Sequence, residues 1–383
     1  MKWEKVKLGD VCEITSSKRI FYSEYVDDGV PFYRSKEIIE SDEGKIIENP
    51  LYISVDKYNE IKEKFGVPQT GDMLLTSVGT IGIPYIIKKK DCFYFKDGNL
   101  TWFRDFREGL NSKYLYYWIK SSEGTGTLYN TTIGSSQKAL TISALKNIKV
   151  SLPPRSVQDK MVEVVSVYDD LIENNQKQIK LLEEAAQRLY KEWFVDLRFP
   201  GHENTKIVDG VPEGWSRTNI NEILTFHRGY DLTKNEMKAG RYPVVGSTTV
   251  IGYHNEFKIK GPGIVTGRSG SLGKYQFIWD NFWPHNTSLY ISDYKNHNIF
   301  FVYSLLQTVD FASLNNGGAI PTLNRNVLSN IEVIEPTDEL QEMFAKIAEP
   351  QYQKIKNLEK QNDRLKTARD LLLPKLMSGE VEV

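Results

Sequence analysis

The sequence predicts an α+β chain built as a tandem repeat: two mixed α/β domains, each followed by a long helix, with the two helices pairing as an antiparallel coiled coil. Three observations carry that expectation. At 383 residues the chain is too long for one ordinary compact core. Four blocks of residues recur in the same order in its two halves. After each half, short strand-like runs give way to apolar residues spaced 3, 4, 3, 4, which is the seam of a paired helix.

The repeat begins at the first residues. Trp3 matches Trp215 at an offset of 212, followed by Leu8 with Ile220, Asp10 with Glu222 and Val11 with Ile223. Pro31 to Ser35 falls on Pro243 to Ser247 at the same offset. Ser77 to Gly82 falls on Arg268 to Gly273, now at 191. Leu140, Leu145, Asn147-Ile148, Val150, Pro153 and Gln158 match Leu323, Leu328, Asn330-Ile331, Val333, Pro336 and Gln341 at 183. The offset shrinks because the first half carries more insertion, and insertions belong in loops.

Taken in chain order, residues 1–153 form the first domain, with runs such as Asp72 to Thr76 punctuated by Gly and Pro. After Pro153-Pro154 the period changes, and 154–199 is the first helical region. Val165, Tyr168, Ile172, Asn175, Ile179, Leu182, Ala186, Leu189 and Trp193 keep the heptad spacing. Tyr168–Val195 alone spans roughly 40 Å as a helix. Residues 200–336 form the second domain, where Gly263 to Thr266 is the matching strand-like run. In the last region, 337–383, a less pure seam runs Ala348, Gln351, Ile355, Leu358, Asn362, Leu365, Arg369, Leu372, Leu376. Pro350 is expected to separate a short helix over about 338–349 from the long one, since proline fits a first turn and not an interior. Pro374 and Gly379 are expected to close the second helix. Asn175 and Asn362 fall inside the apolar seams, either as half-exposed polar positions or as a pair that pins register.

Composition narrows the function classes. Apolar residues make up 40% and charged residues 26%, a globular balance. No run approaches the ~20 apolar residues of a membrane span, and Met1-Lys2-Trp3-Glu4 leads into charged sequence, so no membrane association and no leader are expected. Cys12 and Cys92 make neither a disulfide framework nor a metal cluster, which suits a reducing cytoplasm. A net charge of -1 argues against a non-specific polyanion binder. Locally, however, residues 225–275 hold Arg228, Lys234, Lys238, Arg241, Lys258, Lys260, Arg268 and Lys274 against Asp231, Glu236 and Glu256.

Catalytic motifs do not materialise. Asn49-Pro50-Leu51-Tyr52 is similar to the base-holding Asn-Pro-Pro-Tyr loop of adenine methyltransferases, but lacks the second proline and reads as a turn. Gly267 to Lys274 is similar to a P-loop, yet its glycines are one residue too far apart and Tyr275 stands where Ser or Thr should meet magnesium. His202, His227, His254, His285 and His297 show no metal-ligand spacing. Glu60-Ile61-Lys62 fits the tail of a nuclease signature that lysine-rich helices also produce by accident. No metal and no cofactor is assigned to this chain.

What remains is the pattern of a binder. Loops in the first half carry Arg34, Ser35, Lys36, Ser77, Thr80, Gln137 and Lys138; those in the second carry Arg228, Ser247, Thr248, Arg268, Ser269, Ser271, His285, Asn286 and Asn316. These are the side-chain types that reach base edges and phosphates, although each loop alone could be a solvated turn.

Arg188-Leu189-Tyr190-Lys191-Glu192-Trp193-Phe194-Val195-Asp196, leading into Phe199-Pro200-Gly201-His202, resembles the central region of the specificity subunits of type I restriction-modification enzymes. Leu371 to Glu380 resembles the C-terminal region of that family, and Gly214-Trp215 and Gly134-Ser135-Ser136-Gln137-Lys138 are similar to its domain-entry and late-domain motifs. The resemblance spans the chain and implies two target-recognition domains, each reading one half of a split double-stranded DNA target. It also implies that the paired helices hold the halves a fixed number of unread base pairs apart. Two methyltransferase subunits would dock on this frame and methylate adenine with S-adenosylmethionine. Where restriction accompanies modification, two restriction subunits using ATP and Mg would join them. The chain itself would be non-catalytic. Asn315 to Ile320 stands where the family's second late-domain glutamine would fall, so the resemblance assigns Gln137's role to no named residue of the second half. Positions shared by both halves, such as Gly79 with Gly270 and Thr80 with Ser271, cannot distinguish two half-sites; base readout is expected where the halves diverge. The alternatives are the specificity subunit of another restriction or phage-defence system, a self-contained methyltransferase or nuclease with diverged motifs, and a coiled-coil adaptor.

Overall fold

The computed structural model describes residues 3–45, 47, 49–134, 138–268, 273–309 and 331–383. The chain divides into two compact units, 1–177 with 359–383, and 178–358. Each unit therefore holds one globular domain and a segment of each long helix.

Among the described residues the first unit has ten strands: β1 (Glu4–Lys7), β2 (Glu13–Thr15), β3 (Tyr25–Val26), β4 (Val30–Tyr33), β5 (Leu51–Ile53), β6 (Met73–Thr76), β7 (Pro84–Ile86), β8 (Tyr94–Phe95), β9 (Leu100–Arg104) and β10 (Lys149–Leu152). One four-stranded sheet has the order β2-β9-β6-β7 and is antiparallel; the other is β3-β5-β4-β8, in which β4 and β8 run parallel. The apolar run of β6 is buried along its whole length, as expected of a strand covered on both faces. The helix Ser112–Lys120 starts at Asn111, whose side chain accepts from the Lys113 and Tyr114 amides, and it buries Tyr114, Leu115 and Trp118. Met161, Val162 and Val165 of the first long helix share this core with Leu373, Leu376 and Met377 of the second. Further along, Asn175 Nδ2 donates to Asn362 Oδ1 at 2.9 Å, and Arg369 binds Asp169 at 2.5 Å. Rising numbers on one helix thus meet falling numbers on the other, so the pairing is antiparallel, and the two seam asparagines form the register pair.

The second unit repeats the plan with β11 (Ile207–Val208), β12 (Val211–Pro212), β13 (Ser216–Asn219), β14 (Thr225–Arg228), β15 (Tyr242–Val245), β16 (Val250–His254), β17 (Gly263–Gly267), β18 (Tyr275–Ile278), β19 (Trp283–Pro284), β20 (Ser288–Asp293) and β21 (Glu332–Glu335). Its sheets are β14-β20-β17-β18 and β16-β15-β19, the latter with β15 parallel to β19. Tyr190, Trp193 and Phe194 pack on Phe344 with ring centroids 5.4–6.2 Å apart, and Ala186, Ala348 and Ile355 lie in the same core.

The repeat blocks coincide with equivalent structure. Leu8 donates its amide to the Ile148 carbonyl as Ile220 does to Ile331, both at 2.9 Å. Gln158 Nε2 donates to the Pro153 carbonyl as Gln341 does to Pro336. β1 pairs with β10 as β13 pairs with β21.

The first long helix is Arg155–Tyr190, extended by a π-helical turn over Lys191–Val195, and every seam residue on it is buried or half-buried. The second corrects the expectation at its prolines. Asp338–Ser378 is one uninterrupted helix of 41 residues, with Pro350 and Pro374 inside it. An interior proline costs about 3 kcal/mol through a lost amide donor and a ring clash. Here Ala348 and Tyr352 flank Pro350, and Leu373 and Leu376 flank Pro374, all buried. Burying one large apolar side chain contributes about 1.5–3 kcal/mol, so core contact on both sides of each proline holds the helix together. Gly379, at φ +72°, ends it as expected.

Candidate nucleic-acid interface

In each unit several of the candidate residues gather where strands end side by side. Parallel strands finish at the same edge of a sheet, so the loop leaving β4 emerges beside the loop leaving β8. The Lys96 amide donates to the Tyr33 carbonyl at 2.9 Å, joining the two ends. The end of β6 joins them through the Ser77 amide, which donates to the Asn99 carbonyl at 2.8 Å. An open cleft results, lined among others by Ser35, Lys36, Glu40, Gly79, Thr80 and Asn99.

The first-half candidates fare differently within this frame. Thr80 is exposed, and Lys36 is exposed with a loose contact to Glu40 at 3.7 Å. The Ser35 hydroxyl has no hydrogen-bond partner among the described residues. Arg34 is held elsewhere: its guanidinium meets the buried Glu37 carboxylate at 2.6 Å, and its own amide donates to Glu37 at the start of the helix Ser35–Asp42. That hydrogen-bonded pair holds Glu37 below the usual carboxylate range against the opposing effect of burial. Ser77 is 2% exposed, with its hydroxyl 2.6 Å from Thr101 Oγ1. A group so placed supports the loop and presents nothing to a ligand. Lys138 sits with its ammonium 3.6 Å from the ring centroid of exposed Tyr129.

The second unit forms the same meeting of strand ends. The His285 amide donates to the Val245 carbonyl at 2.8 Å, joining β19 to β15, and the Arg268 amide donates to the Thr287 carbonyl at 3.2 Å, bringing in β17. Ser247 Oγ donates to the same Thr287 carbonyl at 2.7 Å. Asn286 donates to Asp231, and Arg228 Nε reaches the Asn286 carbonyl at 3.4 Å. The turn His285-Asn286-Thr287 thus collects Arg228, Ser247 and Arg268, with Thr248 exposed on the adjoining loop. Nothing in the linear sequence shows that these residues, up to 60 positions apart, share one turn. Arg268 makes no ion pair among the described residues, and Asp280, a plausible partner by sequence, instead meets Lys356 at 3.9 Å. The other cations of the basic 225–275 stretch are all exposed. β17 and β18 form an antiparallel hairpin, not the strand-to-helix unit of a phosphate loop.

Gln137, Ser269, Ser271 and Asn316 lie outside the described residues. Sequence reasoning missed Lys96, Asn99 and Gln276. Gln276 Nε2 donates to the Gly246 carbonyl at 3.0 Å, steadying the loop that carries Ser247 and Thr248. The turn signal Lys96-Asp97-Gly98-Asn99 and the parallel between Tyr94-Phe95 and Trp283-Pro284 are the signs that point to the first two.

Among the described residues, no group of three His, Cys, Asp or Glu side chains is placed to hold a metal ion. No described helix is long and apolar enough to cross a membrane.

Residues 1–184 and 212–367 match the family described as the type I restriction modification DNA specificity domain, once for each half of the repeat. The chain belongs to this family. Among curated relatives of this specificity family, the MjaIX specificity subunit of Methanocaldococcus jannaschii is 28% identical over 100% of this chain and 94% of that one. A putative specificity subunit of Haemophilus influenzae, S.HindORF215P, is 28% identical over 49% of this chain and 45% of its own length. The crystal structure of a type I restriction-modification S subunit from M. genitalium is similar with a TM-score of 0.58 at 17% identity, covering 98% of this chain and 96% of that one. That likeness shows the specificity-subunit fold.

Proposed function

We propose that the chain recognises a split double-stranded DNA target, one part through the strand-end cluster of each unit, and directs methylation and restriction carried out by partner subunits. The observation that carries this reading is the doubled cluster: equivalent backbone hydrogen bonds place Lys36, Thr80 and Asn99 together in one unit, and Ser247, Arg268, His285 and Asn286 in the other. Polar and cationic side chains on loops held by a rigid strand frame suit contact with phosphates and base edges. The helix pair sets the number of unread base pairs between the halves. Two methyltransferase subunits supply S-adenosylmethionine chemistry, and two restriction subunits supply ATP- and Mg-dependent cleavage.

The test is binding of the chain, assembled with its methyltransferase partner, to duplexes carrying the whole target or the target with either half scrambled. Loss of preference on scrambling either half supports the reading; full affinity with one half scrambled refutes a two-part target. The chain alone, incubated with DNA, labelled S-adenosylmethionine and magnesium, is expected to transfer no label and cut nothing. Activity in the absence of partners would make it an enzyme in its own right.

A further inference from the structure

The hydrogen bonds that build the two clusters also define which residues are equivalent. Lys96 and His285 make the same bond to the parallel strand beside them, and Ser77 and Arg268 make the same bond to Asn99 and Thr287. Lys96 is therefore the counterpart of His285, and Asn99 the counterpart of Thr287. The connection is one residue longer in the first unit, Lys96-Asp97-Gly98-Asn99 against His285-Asn286-Thr287, and Gly98 absorbs the difference at φ +75°.

At the position of Arg268 the first unit offers no cation. β6 pairs Leu75 with Thr101, so Thr101 lies within reach of Ser77 and takes its hydroxyl. β17 pairs Thr266 with Leu289, which has no hydroxyl to hold the side chain at 268 inward. The arginines near the first cluster are also occupied: Arg19 meets Asp97 at 2.9 Å and Arg34 meets Glu37 at 2.6 Å. Lys96, half-buried at the joined ends of β4 and β8, makes no ion pair among the described residues.

From this placement we propose that Lys96 is a DNA-contacting cation of the first unit, engaging the backbone phosphate or a guanine edge of the first half-site, next to the cleft that Asn99 lines with Lys36 and Thr80. The inference rests on the two-part reading proposed above.

The test uses Lys96→Met, which keeps the aliphatic stem and removes the charge, and Lys96→Arg, which keeps the charge, each in the full chain assembled with its methyltransferase partner. Affinity is measured across a salt series on duplexes carrying the whole target, the first half scrambled, or the second half scrambled. Lys96→Met should bind the whole target at least about fivefold more weakly and lower the slope of log affinity on log salt by about one unit, the signature of one lost phosphate contact. Lys96→Arg should restore the slope. The loss should persist with the second half scrambled; with the first half scrambled it should persist if Lys96 meets a phosphate and vanish if it reads a guanine edge. Affinity and slope unchanged in Lys96→Met, or an equal loss in both variants with the slope intact, overturns the assignment of Lys96. A wild-type complex that does not prefer the whole target over scrambled duplexes overturns the two-part reading instead.

Discussion

Replacing Asn175 with leucine leaves the Asn362 side-chain oxygen, 2.9 Å from its former donor, inside a seam where both residues are 6% exposed. A buried acceptor without a partner costs about 1–3 kcal/mol, whereas a made hydrogen bond is worth only about 0.5–1.5 kcal/mol net. Asn175 also reaches Gln361 at 3.3 Å, but Gln361 is exposed and recovers that bond from water. Asn362→Leu costs less, because the Asn175 amide keeps the Gln361 side-chain oxygen as an acceptor at 3.3 Å. In Asn175→Leu/Asn362→Leu neither amide remains to be stranded, so the double variant should be more stable than the sum of the singles allows. The extra apolar burial of each leucine appears in both single and double variants and cancels from the cycle. The coupling should therefore be about 1–3 kcal/mol, and each kcal/mol moves the melting midpoint by roughly 2–4 °C for a unit of about 200 residues. Thermal and urea unfolding of the four proteins, followed by tryptophan fluorescence, measures it. Effects additive to within about 0.5 kcal/mol would show that the pair does not bind across the seam, and the register argument would fall with it.

Gly229→Ala should disable the second cluster alone, because an added Cβ would lie 2.0 Å from the His285 carbonyl oxygen, a backbone atom that can yield only by moving the turn. Discrimination at the second half-site should fall about tenfold, the order of one lost base contact, with first-half discrimination unchanged; an equal loss at both halves contradicts this. Arg268→Ala should reduce the salt slope by about one unit on every duplex if it meets a phosphate, or relax one second-half base pair if it reads a base. No change in either takes the hairpin out of the interface. Burial pushes the Cys12 thiol up to about 12, and its sulfur faces the Leu8 carbonyl, while Cys92 is exposed. Iodoacetamide at neutral pH should label Cys92 and leave Cys12, since the thiolate is the reactive form; mass spectrometry showing Cys12 labelled in native protein would contradict the burial.

The repeat, the two seams and the strand-like runs were legible because each rests on local periodicity. Val165, Ile172 and Ala186 announce a buried face by spacing alone, and Leu8 and Ile220 announce equivalent short helices by matching context. Pro350 was misleading because proline's local cost is visible in sequence, while the core contacts of Ala348 and Tyr352 that outweigh it are not. The candidate site was legible only as separate loops. That Arg228, Ser247 and Arg268 meet at His285-Asn286-Thr287 depends on the parallel pairing of β15 with β19, a long-range contact with no local signature. Ser77 shows the same limit: its matched position with Arg268 is readable, but its burial depends on Thr101 across the sheet.

The claim that each unit reads its own part of the target is tested most directly by methylation mapping of a host whose chain has residues 200–336 replaced by those of a relative. A split motif whose first part and gap are unchanged and whose second part is new is the predicted result. A motif altered in both parts, or one unchanged throughout, would contradict the account.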